Sequence, residues 1–158
     1  MTVNSGAGAA PPWSCPRRVV VVGFDGSFSA IDAAGYACDL AERERLRLLF
    51  VDLWDGDILD GLLPVALADR GELIEAFNAG VEAQLADIVA GRAVDWEVRH
   101  TVGDPFDDLV AIATEAHADT VVVGKPNGGR WRLTGSMAGR LRRLGRWTVV
   151  TVDHHGID

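Results

Sequence analysis

Cysteine, tyrosine and long apolar runs are scarce in this sequence. Its two cysteines, Cys15 and Cys38, are too few for a disulfide framework, and reduced thiols in the cytoplasm are the simpler interpretation. Apolar runs such as Val19–Val22 are too short to cross a bilayer. No basic stretch followed by an apolar core marks a secretory signal. These absences predict a cytoplasmic protein with no membrane partner.

Positive charge is also in short supply, with 15 Lys and Arg against 23 Asp and Glu and a net charge of -8. Nucleic-acid binding needs a dense basic surface, so this balance predicts no nucleic-acid partner. One C-terminal stretch is nevertheless rich in arginine. It is interpreted either as a solvated helix face or as a local attraction for phosphate. Its members are Arg130, Arg132, Arg140, Arg142, Arg143 and Arg146.

Strand and helix patterns alternate along most of the chain. β-Branched runs predict buried strands at 18–24, 46–53, 120–123 and 147–152, and helical spacing predicts helices at 29–43, 72–90, from 105 onward and at 136–144. This alternation predicts a three-layer α/β sandwich, in which a five-stranded parallel sheet carries helices on both faces. Residues 17–153 form a single predicted domain, between a disordered N-terminal tail at 1–16 and a C-terminal tail at 154–158.

The remaining strand, at 94–102, has a different pattern. Apolar and polar residues alternate there, which is typical of a strand at a sheet edge with one exposed face, and His100 is predicted to lie on that exposed face. No metal site is predicted, because the aspartates between 52 and 60 lack the spacing of a calcium loop. Cys38 is interpreted as a small core residue.

Ligands of open α/β sheets bind beyond the carboxyl ends of the strands, where the strand order reverses. Two loops are candidates for that place. In the first, Asp25, Gly26 and Ser27 join a strand to a helix. Asp and Ser there act either as helix caps or, for Asp25, as a ligand of ribose hydroxyls or of a nucleotide-bound cation.

The second loop is the glycine-rich segment from Gly124 to Ser136. Glycines allow backbone N–H groups to approach phosphate oxygens, and the helix that follows offers the positive end of its dipole. The segment lacks the Gly-Lys-Ser/Thr ending of a Walker loop. It is therefore interpreted either as an anion-binding loop or as a set of turns.

The order of several short motifs resembles the universal stress protein family from Arg18 to Val152. A first strand ending in Val-Gly-Phe-Asp-Gly-Ser precedes an alanine-rich helix, Gly-Asp-Pro opens a later helix, Ala-Asp-Thr-Val-Val-Val-Gly forms a strand, and Gly-Ser-Met opens the last helix. The resemblance implies a Rossmann-like sheet with strand order 3-2-1-4-5. It also implies a stress-response regulator that binds ATP or another adenine nucleotide, with or without Mg²⁺.

The resemblance further implies the roles of individual residues. Asp25 would lie near the ribose and Val51 on the adenine, with Gly124, Gly135 and Ser136 at the phosphates and Met137 directly after them. The predicted nucleotide-binding residues are Asp25, Gly26, Ser27, Val51, Val123, Gly124, Asn127, Gly128, Gly135, Ser136 and Met137.

The glycine-rich loop departs from the family motif G-x2-G-x9-G-[S/T]. Gly124 and Gly135 are 11 positions apart, two fewer than the motif requires, and Asn127 stands in place of its second glycine. Asn tolerates left-handed backbone angles and can partly substitute there. One branch of the family lacks the motif and binds no ATP, so the alternative function is a dimeric interaction module without nucleotide.

Two further expectations concern assembly and catalysis. The family commonly pairs through its last strand, which implies a homodimer through residues 148–152. No motif assembles a nucleophile, base and metal, so no catalytic residue is predicted, and slow nucleotide hydrolysis is the most that is expected.

Overall fold

A six-stranded sheet with helices on both faces makes up the described part of the chain. The computed structural model describes residues 2–4, 18–53, 70–101, 103–126 and 136–154. The strands are β1 (Thr2–Asn4), β2 (Val19–Phe24), β3 (Arg47–Asp52), β4 (Asp95–His100), β5 (Thr120–Gly124) and β6 (Thr148–Val152). The helices in these ranges are α1 (Phe28–Glu44), α2 (Arg70–Val89), α3 (Pro105–Glu115) and α4 (Met137–Leu144).

The strand order is β1-β4-β3-β2-β5-β6, and β2 to β6 run parallel. Counted from β2, the parallel strands follow the order 3-2-1-4-5, so the predicted sheet is confirmed. The chain order reverses between β2 and β5, where Val20 pairs with Thr120 and Gly23 with Val123. The carboxyl ends of these two strands therefore form the crevice in which ligands of such sheets bind.

β1 is a strand that the sequence pattern did not predict. Thr2–Asn4 pairs antiparallel with β4, Val3 lying opposite Val98. β4 is the last parallel strand, as expected, but within the described residues it has a neighbour on both sides. Backbone pairing to an open strand needs no side-chain periodicity, so a short strand of this kind leaves little trace in a sequence. That residues 1–16 as a whole form a disordered tail stays a prediction.

The first helix lies close to the sheet because its inner face is almost entirely alanine. Ser27 caps α1 by accepting a hydrogen bond from the N–H of Ala30 at 3.2 Å, and Arg45 ends it in the left-handed conformation. The side chains of Ala30, Ala33, Ala34, Ala37, Cys38 and Ala41 are buried. Small side chains allow the helix backbone to approach the strands closely, which sets the position of the helix N-terminus at the crevice.

Apolar side chains cover both faces of the central strands, as the continuous β-branched runs predict. Val20, Val22, Phe24, Leu48 and Phe50 pack on the side of α1 and α2. On the other face, Val21, Leu49, Val51, Val121 and Val123 pack with residues of α3 and α4. Two buried faces make the centre of the sheet a rigid platform for the loops at its carboxyl end. No helix in the described ranges is both long and apolar enough to span a bilayer.

Candidate functional site

A cavity of about 290 Å³ opens at the carboxyl ends of β2 and β5, where the strand order reverses. Its walls come from the loop after β2, the first turn of α1, the ends of β3 and β5 and the start of α4. The lining residues are Gly23, Asp25, Ser27, Ser29, Ala30, Leu53, Val123, Gly124, Pro126 and Met137. The two candidate loops of the sequence thus contribute to one cavity.

The loop after β2 combines a structural role with a place in the cavity wall. The N–H of Ser27 donates to Asp25 Oδ1 at 2.9 Å, and Ser27 Oγ caps α1. Gly26 has a φ of 80°, a backbone angle that favours glycine, and does not line the cavity. Asp25 and Ser27 are exposed, and both face the cavity. The capping interpretation is confirmed for Ser27, whereas Asp25 accepts from the N–H of the cap residue itself; both side chains also border the cavity.

Gly124 allows the helix N-terminus to pack against the end of β5. A Cβ at this position would lie 2.6 Å from the carbonyl carbon of Ser29 and 2.7 Å from the nitrogen of Ala30. Ser29 is buried, and its Oγ lies 3.2 Å from Ser27 Oγ. A glycine is therefore required here by helix packing, whether or not a phosphate binds. Ser29 and Ala30 were not predicted, since only their position in the first turn after the loop could have indicated them.

The apolar wall involves Leu53 rather than the predicted Val51. Val51 is fully buried in the core between the sheet and α3, and it does not line the cavity. Leu53, two residues further, faces the same side of the sheet and reaches the crevice. A Cβ on Gly23 would lie 2.9 Å from Leu53 Cδ1, so this glycine makes room for the wall. The family resemblance implied Val51, and since alternate residues of a strand share a face, Leu53 lies on the same side of the sheet but nearer its carboxyl end.

The second loop is described only at its two ends. Val123, Gly124 and Pro126 line the cavity on one side, and Met137 lines it on the other. Ser136 is exposed and caps α4, because its Oγ accepts from the N–H of Gly139 at 3.0 Å. The predicted residues Asn127, Gly128 and Gly135 lie outside the described residues, as do Arg130 and Arg132.

Three described cations near this loop have partners in the protein. Arg140 stacks on the ring of Phe106 at 3.8 Å, and Arg142 donates to Thr151 Oγ1 at 2.9 Å. Lys125 forms an ion pair with Asp153 at 3.2 Å. These contacts favour the structural interpretation for Arg140 and Arg142. The two arginines hold α4 against α3 and β6.

His100 corrects a prediction. It was expected on the exposed face of its strand, but its side chain is only 6% exposed, with the ring between Asp52 and Glu82. Position 100 shares a face with Trp96 and Val98, and both of those side chains are buried. The alternation of β4 therefore places His100 on the buried face of the strand, together with Trp96 and Val98, and not on the exposed face. Among the described residues, no group of three His, Cys, Asp or Glu side chains is arranged to hold a metal ion.

Cys38 is a free thiol in the core, as predicted. Burial raises its pKa to about 11, and the nearby Arg92 only partly opposes this effect. The thiol therefore stays protonated at neutral pH and is a poor nucleophile.

Comparisons with known proteins place the five parallel strands and the helices between them in one family. The model of the universal stress protein family matches residues 16–153. No match was found among curated proteins. A universal stress protein solved in complex with cAMP is 28% identical, with 87% of this chain and 97% of that chain covered and a TM-score of 0.61.

Two further solved structures are similar over nearly the same length. A universal stress protein family member from Burkholderia pseudomallei is 25% identical, with 86% of this chain and 96% of that chain covered and a TM-score of 0.60. The universal stress protein from Archaeoglobus fulgidus in complex with dAMP is 20% identical, with coverage of 87% and 98% and a TM-score of 0.60. At that identity the last comparison supports the fold alone.

Proposed function

This chain belongs to the universal stress protein family, and from that premise we propose that it binds an adenine nucleotide in the cavity between β2 and β5. The proposed role is that of a stress-response regulator that acts through the bound nucleotide rather than through turnover. The cytoplasmic location is part of this proposal.

The observation that carries the proposal is the two-sided chemistry of the cavity. Asp25, Ser27 and Ser29 contribute side chains with oxygen atoms to the lining, and Leu53, Val123 and Met137 contribute apolar ones. A nucleoside has a flat apolar base and a ribose with hydroxyl donors, so both kinds of lining side chain find a counterpart. Small-molecule pockets of this mixed character hold their ligand by apolar contact and orient it with a few polar groups.

The size of the cavity favours a small nucleotide. Its volume of about 290 Å³ is close to the lower end of ligand pockets, which run from roughly 300 to 1,000 Å³. The solved relative of 28% identity described above was crystallised with cAMP, which has one phosphate. The loop that would hold a longer phosphate chain is two residues shorter than the family motif. ATP and Mg²⁺ therefore stay in the proposal as ligands to be tested beside the monophosphates.

Isothermal calorimetry with ATP, ADP, AMP and cyclic AMP, each with and without Mg²⁺, tests the proposal. We expect saturable binding of a monophosphate with one site per chain. An absence of saturable binding for all four nucleotides at millimolar concentration would contradict it.

Asp25 provides a matched set of variants. Asp25→Ala removes a carboxylate from the cavity and is expected to weaken binding about tenfold, the size of one hydrogen bond to a charged group. Asp25→Asn keeps an oxygen for the N–H of Ser27 and should weaken binding less. Asp87→Asn, on the exposed side of α2, serves as the control for the loss of one charge. Unchanged affinity in Asp25→Ala, with an unchanged melting temperature, would exclude this carboxylate from the site.

A homodimer through β6 is a second proposal, and it also underlies the alternative function as an interaction module without nucleotide. β6 has only β5 as a neighbour among the described strands. The N–H of Thr148 points to β5, where it donates to the carbonyl of Asp119 at 3.1 Å. By alternation, the N–H groups of Val149 and Thr151 point away from the sheet, as edge pairing requires, whereas the outward carbonyl of Val149 already accepts from Arg142 at 3.3 Å, a contact that a partner strand would have to replace.

Sedimentation equilibrium at micromolar concentration tests the dimer, with Thr151→Pro as the variant. Proline removes an outward N–H but no bond to β5, and Thr151→Val, which loses only the contact of Thr151 Oγ1 with Arg142, is the matched control. The proline variant is therefore expected to sediment as a folded monomer and the valine variant as a dimer. A wild-type protein of monomeric mass would contradict the proposal. A dimer in the absence of any nucleotide binding would favour the interaction module.

A further inference from the structure

A cluster of three ionisable side chains, of which two are buried and Glu82 is 32% exposed, lies beside the proposed nucleotide site without belonging to it. His100 Nδ1 lies 2.8 Å from Asp52 Oδ2, and His100 Nε2 lies 2.7 Å from Glu82 Oε1. The side chains of His100 and Asp52 are 6% and 4% exposed. The cluster joins three elements, because Asp52 ends β3, His100 ends β4 and Glu82 lies in the middle of α2.

The two contacts of the His100 ring with carboxylates depend on whether both ring nitrogens carry a proton. A neutral imidazole has one donor nitrogen and one acceptor nitrogen, whereas a charged ring donates from both. Carboxylates only accept, so both contacts are hydrogen bonds when the ring is charged. If the ring loses a proton, a nitrogen lone pair then faces a carboxylate oxygen at the distance of a hydrogen bond. Buried groups tolerate such an unmatched contact poorly.

Two carboxylates are the charged groups that face this ring among the described residues. Asp52 approaches from β3 and Glu82 from α2, while the neighbouring Glu97 and Arg99 of β4 lie on the other face of the sheet, in ion pairs with Arg47 and Glu115. Burial raises the pKa of Asp52, and the hydrogen bond from His100 lowers it to a smaller degree. The charged ring therefore offsets part of the cost of burying the Asp52 carboxylate.

The cluster also connects to the wall of the cavity. The carbonyl of Asp52 accepts from Thr101 Oγ1 at 2.8 Å, and the next residue, Leu53, lines the cavity. The N–H of Leu53 donates to the carbonyl of Phe24 at 2.8 Å, which joins the end of β3 to the end of β2. A displacement of Asp52 would therefore reach the apolar wall of the site.

Helix α2 packs on the core mainly through its second half, where Val81 and Ile88 are partly buried against it. Among its described side chains, 71–89, only Leu85 and Val89 are buried, and the first half of the helix is exposed or half-buried. Glu82 lies one turn before Leu85. The hydrogen bond between Glu82 and His100 thus links α2 to β4 just before Leu85, the first buried side chain of the helix.

We propose that His100, Asp52 and Glu82 form a proton-dependent clamp, in which the charged His100 ring holds α2 and the end of β3 in place. His100 is a positioning residue in this arrangement, and it acts on the cavity through Asp52 and Leu53. The effect on ligand binding rests on the proposed function, whereas the effect on α2 does not.

Nuclear magnetic resonance tests the clamp in the full chain. The ¹⁵N shifts of His100, recorded across the pH range, report how many of its ring nitrogens carry a proton. Hydrogen-exchange protection factors of the amides at 83–89, corrected for intrinsic rates, should fall about tenfold or more between about pH 6 and pH 9, relative to those of α1. That size corresponds to the loss of one hydrogen bond to a charged group.

Two variants separate the clamp from a general effect of pH. Glu82→Gln keeps the shape of the side chain, and its amide can either accept from or donate to Nε2, so the pH dependence of α2 should largely disappear. His154→Gln is the control, because His154 also contacts a carboxylate, Asp32 at 2.6 Å, but is 31% exposed and lies far along the chain from α2. It should retain the wild-type pH dependence.

The proposal would be overturned if the protection of the amides at 83–89, relative to α1, did not change with pH in the wild type. An equal change with pH in Glu82→Gln would also overturn it.

Titration with cyclic AMP at both pH values provides the second readout, because its phosphodiester keeps one charge over this range. Weaker binding at the higher pH in the wild type, but not in Glu82→Gln, is expected. Binding that is equal at both pH values while α2 loosens would overturn the link to the cavity. If cyclic AMP binds at neither pH, the proposed function fails, and the exchange data alone decide on the clamp.

Discussion

Gly124 is the position at which the structure makes the sharpest prediction about stability. The Gly124→Ala variant adds one methyl group at the end of β5, against the first turn of α1. The added carbon would lie 2.6 Å from the carbonyl carbon of Ser29, 2.7 Å from Ser29 Oγ and 2.7 Å from the nitrogen of Ala30. Two of these three atoms belong to the helix backbone, so a change of side-chain rotamer cannot relieve the contact.

The expected loss of stability in Gly124→Ala follows from the distances between the added carbon and the first turn of α1. Ordinary contacts of a Cβ begin at 3.4 Å, so the helix N-terminus would have to move by most of an ångström. The alanine face of α1 is packed against β2 and β5 and leaves little room for such a movement. Overpacking of this kind costs about 1–3 kcal/mol. For a domain of this size that corresponds to a melting temperature lower by about 3–10 °C.

Differential scanning calorimetry and urea unfolding measure the change, with Gly35→Ala as the matched control. Gly35 lies within α1, and no heavy atom lies within 4 Å of a Cβ built there. The control should therefore be more stable than the wild type by about 0.5–1 kcal/mol, the helix preference of alanine over glycine. If Gly124→Ala unfolds within 0.5 kcal/mol of the wild type, the close approach of α1 and β5 is not what requires glycine, and a ligand-binding role becomes the better explanation.

Two further predictions concern a thiol and a helix cap. In a Cys15→Ser background at about pH 8, Cys38 should not react with Ellman's reagent until the protein is unfolded in guanidinium, because burial raises its pKa to about 11; rapid reaction of the native protein would refute the burial argument. Asp104→Ala should lower the stability by about 1 kcal/mol in urea unfolding, because Asp104 Oδ1 accepts from the N–H of Asp107 at 3.0 Å. Asp104→Ser should keep most of that stability, and equal losses in both variants would contradict a capping role.

The parallel sheet could be predicted from local patterns because its strands are buried on both faces. The valine runs at the start of β2 and in β5 have no other common explanation, and Asp104 and Ser136 mark the beginnings of α3 and α4 as caps. β1 could not be predicted in the same way. A three-residue strand that pairs through its backbone carries no periodic signal, and its partner, β4, is more than ninety residues away.

The candidate site could be predicted only in part. Asp25, Ser27, Val123, Gly124 and Met137 line the cavity, as expected from their places at strand ends and helix starts. Leu53 replaces the predicted Val51, since the depth of a residue along the crevice depends on where the neighbouring strands end. The remaining missed residues lie on elements whose orientation the sequence does not reveal. They are Gly23, Ser29, Ala30 and Pro126.

Local sequence alone determined the alternation of strands and helices, the position of the caps and the loops that meet at the crevice, because these follow from nearest-neighbour preferences and from the period of the apolar residues. Tertiary structure decided why Gly124 must be glycine and where His100 lies. The close approach of Gly124 involves the backbone of α1, about a hundred residues earlier in the chain. The register of β3 and β4 pairs Asp52 with His100, and the packing of α2 adds Glu82. Contacts between distant segments become visible only when the segments are packed together.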